Sequence, residues 1–339
     1  MTNLRHFLGA LVYDLPRFLR NARPGRWTAI RNRSERVESK GRGIRCDWQF
    51  TSDLHIATVI PRAGRALMRI ALEEWPIDFA HAPRSASEQP EVTFVIGHRG
   101  LARHPHLDLC LRSLAATEGV SFECVVVEQS PAPEIKGLLP EWVRYVHTAT
   151  PRPDEPYNRA WSLNVGVRHA RGRIVILHDN DMLVPRRYAS EIAARIEEGA
   201  DFVDLKRFTF YLAEPETQRL FEGEPLRAAP ATVVQNLRGA SIAASREAYF
   251  AIGGFDEAFV GWGGEDNDFW DRAEVHGNVD AFGYLPLVHL HHAPQPGKLL
   301  GSAAPAVQRY YALRDVPAKE RIARLRGREL GRVDMPSGD

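Results

Sequence analysis

The chain has 339 residues and a formal net charge of +1 at pH 7, from 44 lysines and arginines against 43 acids. This balance gives no reason to expect a nucleic-acid partner, and 44% hydrophobic with 26% charged residues argues against a disordered or coiled-coil chain. Cys46, Cys110 and Cys124 form no CxxC pair, which argues against a disulfide framework or a zinc–cysteine site and favours the reducing cytoplasm.

The N-terminus carries a helical apolar pattern, although no apolar run reaches the roughly 18 residues that a membrane-spanning helix needs. The residues that recur at helical spacing, with arginines among and after them, are Leu4, Phe7, Leu8, Leu11, Val12, Leu15, Phe18 and Leu19. Two interpretations stay open: a helix docked on its own protein, and a basic amphipathic contact with a membrane surface through residues 1–23. Pro16 should kink either version.

Residues 1–85 indicate an accessory region, which ends in a polar, proline-bearing stretch typical of a linker. Residues 86–300 then alternate short apolar runs with helical segments, and residues 301–339 indicate a basic, partly helical tail. The predicted strands are Val92–Ile96, Cys124–Val127 and Ile174–Leu177, and the predicted helices are Leu107–Ala116 and Trp161–Ala170. This order predicts an α/β fold with a mainly parallel central sheet, flanking helices, and ligands at the carboxyl ends of the strands.

Two carboxylates, Asp179 and Asp181, stand two residues apart where the third predicted strand ends. Oxygen ligands in such a turn suit Mn²⁺ or Mg²⁺, either of which can bridge to phosphate. Further along, His289 and His291 would project to the same side of an extended segment and could face one ion, with His292 as an alternative ligand to either. Imidazole beside a carboxylate favours Mn²⁺ over Mg²⁺. Ordinary turn aspartates and hydrogen-bonded histidines are the structural alternative.

The segment Gly261–Trp270 sets Glu265 and Asp266 behind a glycine-rich turn that carries Trp262. Glycines let the backbone approach a ligand, an indole offers a flat apolar face, and a carboxylate at the start of a helix can accept a proton. The same acids also suit a plain helix N-terminus, where they cap free N–H groups and match the helix dipole. Both interpretations stay open on this segment alone.

The common phosphate-binding and nucleophile motifs do not occur: there is no GxxxxGK[ST] loop, no GxGxxG after the first strand and no GxSxG turn. The candidate residues that the sequence does offer are those of a metal site that could bind a diphosphate, together with a carboxylate base. Transfer of a group from a nucleotide diphosphate to a hydroxyl needs those two parts, a cation for the departing phosphate and a base for the acceptor proton.

Four segments together resemble the β-1,4-galactosyltransferase family of GT-A glycosyltransferases in order and approximate spacing. They are Tyr157–Gly166, Asp179–Pro185, Gly261–Asp268 and the His289/His291 pair, which is closest to the xylose-acceptor branch. The resemblance covers roughly residues 90–295. It implies an inverting, Mn²⁺-dependent transferase that moves a hexose, with galactose expected first, from a UDP-sugar to a hydroxyl of a glycan or glycoconjugate acceptor, as in polysaccharide biosynthesis.

The resemblance also implies roles for individual residues. The implied metal ligands are Asp181, His289 and His291. The implied nucleotide-sugar contacts are Arg99, Tyr157, Arg159 and Asp179. The implied substrate contacts are Trp262, which would close over the two sugars, Gly263, Gly264 and Glu265, which would hold the acceptor. Asp266 would be the catalytic base.

Two positions depart from the family pattern. Leu101 stands where the family has a second arginine, and Asn267 where it often has a third acid, so the uridine contacts and the acceptor are affected rather than the reaction type. Three other functions stay open: retaining transfer on the same fold, as in polypeptide N-acetylgalactosaminyltransferases; a catalytically silent sugar-nucleotide-binding module; and a metallohydrolase acting on a phosphoester. A cytoplasmic protein, at most peripheral to a membrane, is expected.

Overall fold

The computed structural model describes residues 4–47, 51–83, 88–150, 155–293 and 303–333. Its strands are β1 (Val37–Lys40), β2 (Gly43–Cys46), β3 (Ser52–Asp53), β4 (Val92–His98), β5 (Phe122–Ser130), β6 (Val143–Ala149), β7 (Ile174–His178), β8 (Met182–Leu183), β9 (Phe202–Val203), β10 (Lys206–Leu212), β11 (Pro230–Gln235), β12 (Ser241–Ser245), β13 (Val279–Asp280) and β14 (Leu285–His289). Its helices are α1 (Leu4–Gly9), α2 (Leu15–Asn21), α3 (His55–Val59), α4 (Pro61–Glu74), α5 (His104–Ala115), α6 (Arg159–His169), α7 (Tyr188–Glu197), α8 (Glu214–Phe221), α9 (Arg246–Ala251), α10 (Glu265–His276), α11 (Pro305–Leu313) and α12 (Ala318–Arg326). The predicted boundary at residue 300, and part of the predicted linker, lie outside the described residues.

The larger sheet has the strand order β13-β9-β12-β7-β4-β5-β6. Its centre is parallel, since β4 pairs in parallel with β5 and β7, and β5 with β6, whereas β12 runs antiparallel to β7. The three predicted strands are confirmed as β4, β5 and β7, whose apolar runs are buried as expected of strands covered on both faces. The predicted helices are confirmed as α5 and α6. The α/β fold with a mainly parallel central sheet is therefore as predicted.

A second sheet, which the sequence did not predict, has the order β3-β11-β10-β14-β8. Its edge strand β8 has two residues and follows directly after Asp179–Asp181. β8 pairs antiparallel with the end of β14, so that Met182 lies opposite His289. This pairing brings the acidic triplet beside the histidine cluster, although more than a hundred residues separate them along the chain.

The N-terminal region packs against the second sheet. β3 pairs antiparallel with β11, and α4 lies against β11 and β14 with Leu67 and Met68 fully buried. The buried guanidinium of Arg207, on β10, donates from Nε to the carbonyl oxygen of Thr28 at 2.7 Å and from Nη2 to that of Ile30 at 2.5 Å. The accessory region thus shares one hydrophobic core with the strands that carry the candidate site.

Pro16 interrupts the N-terminal helix as its chemistry predicts. The described segment runs from α1 through a π-helical turn, Ala10–Asp14, into α2, where Pro16 lies in the first turn. A proline ring clashes with the carbonyl four residues earlier and has no N–H to donate, so the turn that precedes it widens. One face, formed by Ala10, Asp14 and Phe18, is buried against the protein.

Candidate active site

The end of β14 and the turn before β8 form a group with the chemistry of a metal site. One ligand atom each from Asp181, His289 and His292 lies within 4.8 Å of the others. Nε2 of His292 is 3.4 Å, and Nε2 of His289 is 3.8 Å, from Oδ2 of Asp181. The ring of His289 is fixed by stacking on Tyr211, with 4.2 Å between centroids.

The structure brings His289 together with His292 rather than with His291, the partner that the resemblance implied. β14 ends at His289, so the alternation of side chains that would place His289 and His291 on one side stops there. The backbone of His291 is held elsewhere: its N–H donates to Oγ1 of Thr217 and its carbonyl oxygen accepts from Nε2 of His106, both at 2.8 Å. His292, the alternative that the sequence left open, takes its place in the group.

Asp181 is buried and ion-paired. Nη2 of Arg103 lies 2.5 Å from Oδ2 of Asp181. Burial alone would raise the pKa of Asp181, but His289 and Arg103 outweigh it, and the pKa of this carboxyl is lowered. Asp181 therefore stays ionised, as a metal ligand must.

The middle residue of the triplet is fixed by a buried histidine. Nδ2 of Asn180 donates to Nδ1 of His98 at 2.9 Å, and Nε2 of His98 donates to the carbonyl oxygen of Gly100 at 3.1 Å. Burial lowers the pKa of His98 to about 4, so the ring is neutral and can accept at Nδ1. His98 and Asn180 thus fix the turn between Asp179 and Asp181.

Arg159 connects the triplet to the glycine-rich turn. Its Nε donates to Oδ1 of Asp179 at 2.7 Å, and its Nη1 donates to Oδ1 of Asp266 at 3.0 Å. Oε1 of Glu265 lies 3.7 Å from the same Nη1. Arg159 opens α6, whose N-cap is Asn158: its Oδ1 accepts from the N–H of Trp161 at 2.9 Å. One guanidinium therefore contacts three carboxylates from two distant segments.

Burial and neighbouring negative charges raise the pKa values of the two acids that open α10. Burial, followed by the neighbouring charge of Asp266, raises the pKa of Glu265 to about 7. Burial also raises the pKa of Asp266, against the opposing charge of Arg159. Carboxyls whose pKa values are shifted toward neutrality inside a site are typical of general acids and bases.

Left-handed glycines build the turn before α10. Gly261, Gly263 and Gly264 have φ angles of 88°, 95° and 90°, which disfavour side chains at all three positions. A Cβ at Gly264 would lie 2.8 Å from the carbonyl oxygen of Ala306, because α11 packs against the turn. The N-cap of α10 is Gly264, which has no side chain to cap the helix, and Trp262 is 44% exposed. The turn therefore places an indole and two acids side by side at the start of α10.

Arg99 and Tyr157 meet at the carboxyl ends of β4 and β5. The guanidinium carbon of Arg99 lies 5.7 Å from the ring centroid of Tyr157. Arg99 donates from Nε to the carbonyl oxygen of Gln129 at 2.7 Å, and from Nη2 to its Oε1 at 3.1 Å. A Cβ at Gly97 would lie 2.2 Å from the hydroxyl oxygen of Tyr157, so this glycine in a strand makes room for the phenol.

Two family models match the chain. Glycosyl transferase family 2 matches residues 103–248, and the N-terminal domain of galactosyltransferase matches residues 230–292. Beta-1,4-galactosyltransferase 5 of Danio rerio is 28% identical over 186 residues, which cover 52% of this chain and 36% of that protein. Over residues 103–292 the chain therefore resembles galactosyltransferase-like glycosyltransferases of the GT-A fold.

The chain spans about a third of the length of this Danio rerio relative. Among solved structures it is similar to mannosyltransferase PcManGT from Pyrobaculum calidifontis in complex with GDP-Man and Mn²⁺, at 17% identity and a TM-score of 0.41 over 79% of this chain and 81% of that chain. It is also similar to S. aureus TarS 1–349 in complex with UDP, at 14% identity and a TM-score of 0.43 over 59% of this chain and 60% of that chain.

The sequence analysis missed several residues at the candidate site. Arg103 pairs with Asp181 from a 3₁₀ turn, and nothing in its neighbours marks it. Gly239 is a second case: a Cβ there would lie 2.2 Å from Oδ2 of Asp266, so the loop between β11 and β12 touches the proposed base. For Gly239 and Gly97 the sequence did offer a signal, because each is a glycine that lies outside any predicted turn.

A cavity of about 720 Å³ lies beside this loop. Its walls include the β1–β2 hairpin, Arg238 and Trp270. Nε1 of Trp270 donates to the carbonyl oxygen of Arg238 at 2.9 Å, and Trp270 lies four residues after Asp266 on α10. A ligand in this cavity would therefore lie about one helical turn from Asp266.

Proposed function

We propose that this glycosyltransferase moves a hexose, with galactose as the first candidate, from a UDP-sugar to a hydroxyl of a glycan or glycoconjugate, with inversion at the anomeric carbon. The observation that carries the proposal is the contact of Arg159 with both Asp179 and Asp266, at 2.7 and 3.0 Å. It joins the end of a central strand, where nucleotides bind in such sheets, to the acidic turn that would activate an acceptor. Nη2 of Arg159 is buried without a hydrogen-bond partner among the described residues, which supports a polar ligand here.

We propose Asp181, His289 and His292 as ligands of a divalent cation, Mn²⁺ before Mg²⁺. One carboxylate and two imidazoles fit Mn²⁺, and Nδ1 of His289 is buried without a hydrogen-bond partner in the part of the chain described. When bound, the ion would offset the charge that develops on the departing diphosphate. Cation binding would compete with the salt bridge between Arg103 and Asp181.

In the proposed reaction Asp266 is the general base. Its carboxylate takes the proton of the acceptor hydroxyl while that oxygen bonds to the anomeric carbon; the bond from this carbon to UDP breaks, and its electron pair leaves with the diphosphate. The raised pKa makes Asp266 a stronger base than an exposed aspartate. The other proposed contacts are Glu265 on the acceptor, Trp262 over both sugars, Asp179 on the nucleotide sugar, and Arg99, Tyr157 and Arg159 on the uridine and phosphates.

The test is Asp266→Asn, which keeps the shape of the side chain and removes its basicity. We expect turnover to fall roughly 10²- to 10⁴-fold, the usual share of a general base, while UDP affinity changes little. Asp271→Asn, on the same helix, is the control and should keep activity. Near-normal turnover in Asp266→Asn would show that the base lies elsewhere, and NMR of the product's anomeric configuration separates inversion from retention.

No helix within the described residues is long and apolar enough to cross a membrane. A cytoplasmic location stays a prediction, which fractionation of cells that express the chain would test.

A further inference from the structure

We propose that the outward face of residues 4–21 binds the surface of a membrane that contains anionic phospholipid. This face exposes a stripe of large apolar side chains four or seven residues apart, in which Leu4 is 69%, Leu8 50%, Val12 61% and Leu19 70% exposed. Phe7 and Tyr13 flank the stripe and are also exposed. A contiguous apolar patch of this kind on a protein surface marks an interaction site rather than chance exposure.

The stripe is distinct from the face of the helical segment that packs against the protein. The opposite face is already docked, since Ala10, Asp14 and Phe18 are buried against the protein. Nη1 of Arg17 donates to the carbonyl oxygen of Asn32 at 3.1 Å, which ties α2 to the following loop. The helical segment is therefore fixed with its second apolar face toward solvent.

The positive charge around the stripe indicates that its partner is anionic. Residues 1–34 contain seven arginines and a single acid, Asp14, which is buried, whereas the whole chain has a net charge of only +1. Arg20, Arg23 and Arg26, at the C-terminal end of the stripe, are exposed and form no salt bridge within the described ranges. Arginines beside an apolar stripe match the boundary between anionic headgroups and acyl chains, where amphipathic helices lie in the plane of the membrane.

Cosedimentation with vesicles tests this directly. The wild-type chain should bind vesicles of phosphatidylcholine and phosphatidylglycerol in equal parts, and bind pure phosphatidylcholine at least about tenfold more weakly. Leu8→Ser with Val12→Ser should weaken binding to the anionic vesicles about tenfold or more, because both side chains would lose their apolar contact. Arg20→Gln with Arg23→Gln should weaken it as well and reduce its dependence on salt.

The matched control is Leu138→Ser, since Leu138 is 50% exposed, as Leu8 is, on a remote 3₁₀ turn. This control should bind vesicles as the wild type does. All variants alter exposed side chains, so unchanged thermal unfolding shows that they fold. The proposal is overturned if the wild type does not bind anionic vesicles, or if the stripe variant binds as well as Leu138→Ser. A self-associated chain that ignores vesicles and dissociates in the stripe variant would assign the face to a second copy instead.

Discussion

At the scale of single residues, Arg159 organises the candidate site. It lies between Asp179, which directly follows β7, and Asp266, in the first turn of α10. The pKa of Arg159 is raised well above its ordinary value, because the surrounding carboxylates outweigh the lowering effect of burial. Three carboxylates crowded together would repel one another without Arg159. The resemblance implies that Arg159 contacts the nucleotide. Its hydrogen bond to Oδ1 of Asp266 adds a second role, since it holds the proposed base in position.

Gly239 should matter for turnover more than for folding. A Cβ at this position would lie 2.2 Å from Oδ2 of Asp266, so Gly239→Ala should displace the proposed base. A displacement near 1 Å of a reacting group can cost about 10²-fold in rate, and we expect a loss of that order in kcat with UDP affinity retained. Gly137→Ala is the control, because nothing lies within 4 Å of a Cβ there. Equal kcat in both variants would mean that Asp266 does not act in the chemical step.

Glu265 should make stability depend on pH. Its pKa is raised from 4.5 to about 7, so the folded state holds this proton more tightly than the unfolded state does. The free energy of unfolding should therefore fall as pH rises from 4.5 to about 7, by up to about 3 kcal/mol from this group. Glu265→Gln cannot titrate, so its urea-unfolding profile should be flatter across that window, while Glu274→Gln should follow the wild type. If the free energy of unfolding depends on pH in the same way in Glu265→Gln and in the wild type, the pKa of Glu265 is not raised.

At the scale of elements, the C-terminal helices pack against α10, the helix that carries Glu265 and Asp266. Asp268 of α10 is buried between two arginines: Nε of Arg272 lies 2.9 Å from Oδ2, and Nη1 of Arg321, from α12, lies 2.5 Å from Oδ1. The sequence predicted only a basic, partly helical tail, whereas Arg321 of this tail is buried in an ion pair with Asp268. Composition could not reveal it, because the partner acid lies about fifty residues away along the chain.

Arg321→Ala should therefore destabilise the fold. It removes one of two cations from a buried carboxylate, and we expect the free energy of unfolding to fall by about 2–4 kcal/mol in urea titrations. Arg324→Ala, on the same helix, removes an exposed pair with Glu320 and should cost no more than about 0.5 kcal/mol. Similar losses for the two variants would show that the buried contact contributes nothing beyond a surface pair.

The elements differ in how far the sequence could predict them. β4, β5 and β7 are marked by apolar runs that no solvent-exposed segment would tolerate, so local pattern suffices. β8 has two residues and exists only because β14 pairs with it, a tertiary contact that local pattern cannot encode. The choice between His291 and His292 depends on where β14 ends, and strand ends are the least predictable feature of a sequence.

At the scale of the whole molecule, the candidate site lies where the two sheets meet. β7 of the larger sheet leads through Asp179–Asp181 into β8 of the second sheet, and β14 brings the histidines to the same turn. The N-terminal region supports the second sheet, since β3 pairs with β11 and α4 packs against β11 and β14. Ligands that contact both sheets should thus stabilise the whole chain rather than one part of it.

Binding of UDP with Mn²⁺ should raise the melting temperature of the whole chain. A ligand at about 100 times its Kd adds about 2.7 kcal/mol, which for a chain of this size corresponds to roughly 5 °C. UDP alone should give a smaller shift, and Asp181→Asn should remove the Mn²⁺-dependent part because the ion loses its carboxylate. Asp315→Asn, an exposed aspartate in the tail, should respond as the wild type does. If UDP with Mn²⁺ leaves the melting temperature of the wild type unchanged, a metal-dependent UDP-sugar transferase is the wrong function for this chain.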